Sequence, residues 1–475
     1  MLSSNDETPR DIFKGIRPQE IELGTVDIAN CGVRVDGIYF YKNTTNSPNF
    51  MSVDILSCSL YKVIADYYPI LAGHLKLNIK GKAVISVDPD NLCIPDFREI
   101  HVDHPAESFF ITRPSKESSK DDCLSFFNLH KFYRASGIGR LPYATYYRDN
   151  AAVVIRILRF KDSPYVALTY SISHVVFDAT STISFIKHWA EYSRNFNNPE
   201  HKITLPPEHN RDVMHKCFET VEPNEPSFIK HFRETAVPLN IQSPENIAPI
   251  LLSAPDMLPF EEQHLLHISG TNLERMRHDT DSSQTTIMVL TAALTKAMVQ
   301  ANTKALNRTP KTAYVAVAYD GRQRSGVPQN FSGNTSFICV TPLSFKSVLE
   351  DSNKALAHKI KESCLKTDSS YSKAYIEVVE KELGLLYHSG ALLGNNIQSS
   401  YILLSYLRHL PFNALDFGYG APNILSFDYF SKEGMCRVYP NYKDDGIDLF
   451  INYWDAHFEH LRKDQFLAKY VDFIY

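Results

Sequence analysis

From about residue 203 to residue 262 the chain carries nine prolines and few stretches of periodic hydrophobicity. Proline has no amide N–H and a locked φ, so neither a long helix nor an interior strand runs through such a stretch. The segment reads as a connection that wraps a surface and divides what lies on either side. At 475 residues the chain also exceeds the size at which one hydrophobic core stops growing. Two domains of roughly 200 residues each are therefore expected, at 1–205 and 263–475 with 206–262 as the crossover.

Both halves mix strand and helix patterns. Residues 31–42, "CGVRVDGIYFYK", alternate as a strand does, and "MSVDILSCSLYKVIADYYPIL" follows with helical spacing until Pro69 ends it. "AAVVIRILRF" (151–160) and "YVALTYSIS" (165–173) read as neighbouring strands joined by the hairpin signal "KDSP". Past the crossover come "HLLHISGTNLERMRH", a strand and then a helix, the strongly apolar helix "TTIMVLTAALTKAMVQANTKAL", and the strand "TAYVAVAYDGR". The last segment, "DLFINYWDAHFEHLRKDQFLAKYVDFI", reads as a strand followed by one amphipathic helix. No short-period repeat is present, which argues against solenoids and propellers.

Charge and cysteine usage exclude several classes. The net charge of -5 comes from interspersed signs with no Lys/Arg block, so nucleic acid is not an expected partner. The eight cysteines show neither Cys-x-x-Cys nor a zinc-like Cys/His spacing, so a reduced interior without metal is expected. The N-terminus lacks a signal-peptide pattern and no apolar run approaches membrane-span length, so a cytoplasmic protein without a membrane span is expected. Asn-x-Ser/Thr matches at Asn43 and Asn307 then read as chance.

"SISHVVFDATS" (171–181) concentrates the chemistry. His174 stands at the end of an apolar strand and Asp178 four residues later, where a helix with Ile183, Ile186, Trp189 and Ala190 on one face begins. A strand-end histidine suits general-base work because its ordinary pKa lies near neutrality. With such apolar neighbours it equally reads as a hydrogen-bonded core histidine. A second His-x-x-x-Asp, His460 and Asp464, falls in the C-terminal helix pattern and reads as a surface i,i+4 pair.

Other stretches resolve that ambiguity by resemblance. "HVVFDATS" resembles the His-x-x-x-Asp-Gly motif of the BAHD acyltransferases, and "LPFNALDFGYGAPN" (410–423) their Asp-Phe-Gly-Trp-Gly motif. "YYPILAGHL" (67–75) is similar to the family's Tyr-Pro-x-x-Ala-Gly-Arg-Leu segment, and "YDGRQRSGVPQNFSGN" (319–334) to its Asp-x-Arg…Gly-Asn strand and loop. The four occur in the family's order from about residue 60 to the end of the chain. The resemblance implies an α/β fold of two chloramphenicol-acetyltransferase-like domains with a solvent channel between them, a segment near 395–415 packing on the first domain, and a monomer.

It also implies an activity. His174 would deprotonate a hydroxyl or amine of a small-molecule acceptor, which attacks the thioester of acyl-CoA without a covalent intermediate. Acyl-CoA is then a cosubstrate, and no permanently bound cofactor or metal is implied. Asp178 would pair with Arg322 as a structural tie, and Asp416, Gly418 and Gly420 would be architectural. Ala179 replaces the motif's glycine and Tyr419 its tryptophan. In "LLSYLRHLP", where many relatives have Thr-Ser-Trp, Leu404 reads as replacing an oxyanion-binding threonine and Tyr406 a channel-wall tryptophan, with Ser405 or Tyr406 as substitute contacts. These departures suggest a fungal-like acceptor side. They leave two alternatives: a catalytically weak binding protein, for which Leu404 speaks, and a condensation-domain-like enzyme with a carrier-bound donor, against which Ser173 speaks because it stands where such enzymes have a first histidine.

Overall fold

β-branched and aromatic residues crowd the strands Arg34–Lys42, Val153–Phe160 and Tyr165–Ser173, which pair antiparallel in one sheet. The loop between the last two turns at Asp162, whose φ of 55° suits a short polar residue. The computed structural model describes residues 9–30, 34–80, 82–112, 125–128, 131–132, 151–224, 262–307, 311–378, 399–426 and 433–474. Asp96–Val102 adds to Val153–Phe160 in parallel, and Ile424–Ser426 from the far end of the chain pairs with Arg34–Lys42, completing a five-stranded sheet. Helices Val53–Tyr67 and Ala179–Arg194 bury Leu60, Val63, Ile186 and Trp189 in the same core.

The second half is built on a seven-stranded sheet in the order Ser336–Ser344, Thr312–Asp320, Ser399–Tyr406, Met435–Asn441, Gly446–Asn452, Gln263–Ile268, Phe473–Ile474. Side chains alternate across it, as the strand period of two requires. Ala313, Val315, Val317, Val438, Leu449 and Ile451 face a core shared with helices Gly270–Asp281, Thr286–Leu306, Asn353–Leu365 and Asp455–Leu461. Tyr314, Ala316, Tyr439 and Phe450 face the other way and join the core of the first half. The fold is thus two α/β domains, with one face of the larger sheet given to the first domain.

Ser399–Tyr406 lies inside the seven-stranded sheet, parallel to both neighbours. Of the segment near 395–415 expected to pack on the first domain, 399–415 is described, and its Leu403, Leu407 and Leu410 pack on the core of the first half. The crossing comes later: Phe412, Leu415 and Phe417 enter the first core and Ile424–Ser426 joins its sheet. Of the 206–262 crossover, 206–224 and 262 are described, with one short helix, Asp212–Phe218; the rest lies outside the described residues. The C-terminal helix stops at Leu461. Asp464 accepts from the Phe466 and Leu467 backbone N–H at 3.0 and 2.8 Å, so its side chain competes with helix continuation and it does not pair with His460 on a helix face.

Among the described residues no helix is long and apolar enough to cross a membrane. The six described cysteines form no disulfide with one another, and no described group of His, Cys, Asp and Glu is arranged to hold a metal; Cys31 and Cys123 lie outside the described residues.

One buried charge cluster stands apart from the motifs. His267, 0% exposed, is held by Asp448 at 2.8 Å and Asp444 at 2.9 Å. Burial opposes its charge, but the two carboxylates outweigh this and push its pKa up to about 9. Asp448 is pushed up by its own burial, which offsets part of the gain. A raised cation contributes fully below its unfolded pKa near 6.5 and loses that contribution as pH climbs to the folded value. Replacing His267 by Gln should therefore lower the melting temperature most at pH 6, with the gap to wild type closing by pH 9 to 10; a constant gap across that range would rule out a charged His267.

Candidate active site

The strand ahead of His174 ends for a packing reason. Val175, Val176 and Phe177 all enter the same core, and three consecutive side chains turned to one core cannot follow strand alternation. The chain turns instead, with Val176 N–H donating to the Ser173 carbonyl at 3.1 Å. Arg34 secures the strand end through Ser171 Oγ at 2.6 Å and the Ser171 carbonyl at 2.8 Å. Asp178 then caps the helix Ala179–Arg194, accepting from Ser181 N–H at 2.8 Å. Ala179 is the first helical residue and has no positive φ, so the motif's glycine is dispensable there.

Asp178 faces away from the imidazole and onto Arg322, at 2.8 and 3.2 Å through its two oxygens. Thr335 N–H adds a third donor at 3.0 Å. Arg322 is only 1% exposed and donates further to Asp320, Ser181, Thr335 and the carbonyls of Phe331 and Gly333. Burial works against the Asp178 carboxylate, yet Arg322 and the two N–H groups hold its pKa below the ordinary carboxylate range. Asp178 and Arg322 come from the two halves of the chain, so their contact joins the helix after His174 to the loop that carries Gly333 and Asn334.

That loop meets the imidazole directly. Asn334 Oδ1 lies 3.0 Å from His174 Nδ1, and Asn334 Nδ2 donates to the His174 carbonyl at 2.8 Å. Since Oδ1 only accepts, Nδ1 carries the proton and the neutral ring presents its lone pair at Nε2. The ring is partly exposed, and burial holds its pKa below 6.5 against the pull of its own backbone carbonyl, Asp178, Asn334 and Asp27. A neutral imidazole at pH 7 with one free basic nitrogen is what proton abstraction needs.

The Asp416 loop packs elsewhere. Asp416 Oδ1 accepts from the N–H groups of Gly418, Tyr419 and Gly420 at 2.7, 2.9 and 2.8 Å. Both glycines hold left-handed φ, 99° and 89°, which a side chain would strain. Around this knot Phe417 meets Trp189, Tyr419 meets Phe50 and donates to the Asn49 carbonyl, and Arg194 donates to the Asp416 carbonyl. All of these partners belong to the first half.

The strand Ser399–Tyr406 corrects the reading of Leu404. Leu404 is 0% exposed in the helix-side core with Ile402. Leu404, fully buried there, is therefore not placed as an oxyanion contact, and the half-buried Tyr406 turns to the same side of the sheet. Leu403 and Leu407 face the first-half core, so alternation puts the partly exposed Ser405 on their face, opposite Arg437 in the neighbouring strand. Arg408 bonds Asp445.

Sequence reasoning missed three residues. Asn334 ends the 319–334 strand and loop, but nothing local marks it as a histidine partner across 160 positions. Asp27 and Arg211 form a buried pair, 3.1 Å apart and 184 residues apart in the chain, and Asp27 accepts from Asn334 Nδ2 at 2.8 Å. These residues floor a cavity of about 180 Å³ whose walls include Val26, Met214, Phe218 and Ile376.

Comparisons with known proteins show the family and the fold. A family model described as "Transferase family" matches residues 14–90 and 137–467. Anthranilate N-benzoyltransferase protein 3 of Dianthus caryophyllus is 23% identical over 431 residues, covering 88% of this chain and 86% of that protein. Vinorine synthase superposes with a TM-score of 0.65 at 16% identity, covering 96% of this chain and 98% of the other. F. graminearum TRI101 complexed with coenzyme A and deoxynivalenol gives 0.67 at 13% identity, with 95% and 99% covered.

The ion pair makes a distinction testable by urea unfolding. Arg322→Met strands a buried carboxylate and should cost about 3 to 5 kcal/mol. The double variant with Asp178→Leu should recover a good part of that loss. A loss in the double variant equal to the sum of the two single losses would show that the two side chains act independently.

Proposed function

We propose that this chain, which belongs to the Transferase family of BAHD acyltransferases, moves an acyl group from acyl-CoA to a hydroxyl or amine of a small molecule with His174 as general base. The observation that carries the reading is the Asn334 contact at His174 Nδ1, because it leaves Nε2 as the lone basic atom of the ring. In the proposed reaction the acceptor O–H or N–H gives its proton to Nε2. The acceptor's electron pair attacks the thioester carbonyl, and the C=O pair moves onto oxygen. As that pair returns, the C–S bond breaks and the departing thiolate takes the proton back from His174. A thioester is already activated, so alignment of two substrates and transfer of one proton supply most of the acceleration.

Ser405 is the candidate donor to the oxyanion, since it sits on the face of its strand that turns to the first domain, whereas Leu404 turns to the helices. Asp178, Arg322, Asp416, Gly418 and Gly420 are proposed to hold the site's frame without touching substrate. The binding-protein alternative drew its support from Leu404, and that support lapses with the side chain in the helix-side core. The condensation-type alternative gains no observation in its favour: Ser173 still occupies the place of a first histidine.

Free-thiol release tests the reading, with benzoyl-, hydroxycinnamoyl-, acetyl- and long-chain acyl-CoA against a pool of small alcohols and amines. Release should depend on acceptor and fall at least about 10³-fold in His174→Ala. Retained turnover in that variant would remove His174 from the mechanism. Because burial lowers its pKa, kcat/KM should be flat above pH 7 and decline on acidification below the ordinary histidine value. Ser405→Ala should cost about 10² to 10³ in kcat. Leu404→Thr, by contrast, should lower stability by about 2 kcal/mol through a lost core contact and a buried hydroxyl, with kcat nearly intact. The reverse pattern would restore Leu404 to the site.

A further inference from the structure

We propose that Asp27 is a positioning residue for His174, setting its tautomer through the side-chain amide of Asn334. The inference rests on the reading of His174 as the base and goes beyond it, because Asp27 acts one residue removed from the ring.

An asparagine amide offers an oxygen on one side and an NH₂ on the other, and its neighbours decide which way it faces. Asn334 Nδ2 has three acceptors in reach, Asp27 Oδ1 at 2.8 Å, the His174 carbonyl at 2.8 Å and the Val175 carbonyl at 3.4 Å. None of the three, with Asp27 paired to Arg211, has a proton to give. Turned over, the amide would set its oxygen against a carboxylate in a buried site, an arrangement without a hydrogen bond and with like partial charges opposed. Oδ1 is therefore committed to His174 Nδ1, where it accepts.

Asp27 is itself fixed on every side. It is 3% exposed, and its oxygens accept from Gly24 N–H at 3.0 Å, Asn334 N–H at 3.2 Å and Arg211 Nε at 3.1 Å. Arg211, 5% exposed, reaches the Ser332 carbonyl at 2.8 Å on the Asn334 loop and the Val176 carbonyl at 2.9 Å on the turn after His174. Its guanidinium thus spans both pieces of backbone that the Asn334 bridge must hold in register. A buried ion pair is costly, and a neutral side chain of the same shape would fill the space as well. What the carboxylate adds, paired with Arg211, is a side chain that offers acceptors only.

The test is Asp27→Asn, close to isosteric but able to donate or accept, so that the side-chain acceptor opposing a turned-over Asn334 is lost while the His174 and Val175 carbonyls remain. Two readouts are taken at pH 8, where the imidazole is neutral. Expected in the variant is a loss in kcat of about 10²-fold with KM for donor and acceptor within about twofold. In ¹⁵N–¹H two-bond correlation spectra of histidine-labelled protein, with the His174 signals assigned by His174→Ala, wild type should show the Nδ1–H form and the variant a mixture or the Nε2–H form. Wild type in the Nε2–H form overturns the proposal, as does a folded variant in which only one of the two readouts moves, or neither. Should Asp27→Asn fail to fold, Asn334→Ala replaces it, severing the same link while leaving the Asp27–Arg211 pair in place, and the wild-type spectrum stands on its own. If wild type turns over no donor, the acyltransferase reading fails, and the tautomer comparison alone decides whether Asp27 sets the ring.

Discussion

Arg322 is the point through which the two halves of this molecule are made one site. Its guanidinium is almost wholly buried and every one of its bonds ends on a carboxylate, a hydroxyl or a loop carbonyl. Removed from water, such a charge is tolerable only when fully paired. The pairing therefore dictates where the helix after His174 begins and where the loop bearing Asn334 lies. The imidazole inherits its surroundings from an interaction it does not itself make.

A division of labour follows along the short sequence from His174 to Asp178. The histidine stays on the partly exposed side of the turn, the three apolar residues after it sink into the core, and the aspartate caps the helix while gripping Arg322. Had Asp178 turned back onto the ring, it would have raised the histidine's pKa and cost it basicity in the neutral form at pH 7. Asn334 takes that place instead, orienting the ring without a formal charge beside it. The carboxylate that governs the amide, Asp27, is kept one bond further away.

The Asp416 knot serves the same end by other means. Its three N–H contacts and two left-handed glycines fold the chain tightly where it leaves the larger sheet to enter the first domain's core. Aromatic contacts with Trp189 and Phe50 seat it against the helix that Asp178 caps and the region before Val53. The tie at Arg322 and this crossing are separate in sequence and both join the halves. Each limits how far the first domain can shift relative to the sheet face it covers.

Much of this was legible beforehand, because strands such as Tyr165–Ser173 and helices such as Thr286–Leu306 announce themselves by local periodicity, and the motifs around His174, Arg322 and Asp416 are contiguous. Periodicity does not say which face of a strand meets the site, since a shift of one residue exchanges the faces; Leu404 and Ser405 were separable only once their neighbours in the sheet were placed. Nor does a local pattern mark Asp27, Arg211 and Asn334, which meet across 184 and 307 positions. By itself the sequence determined the main elements, their order and the histidine proposed as the base. The tertiary structure alone decided which nitrogen of that base is free and which side chains share its face, because hydrogen-bond direction and sheet facing are set by partners distant in the chain.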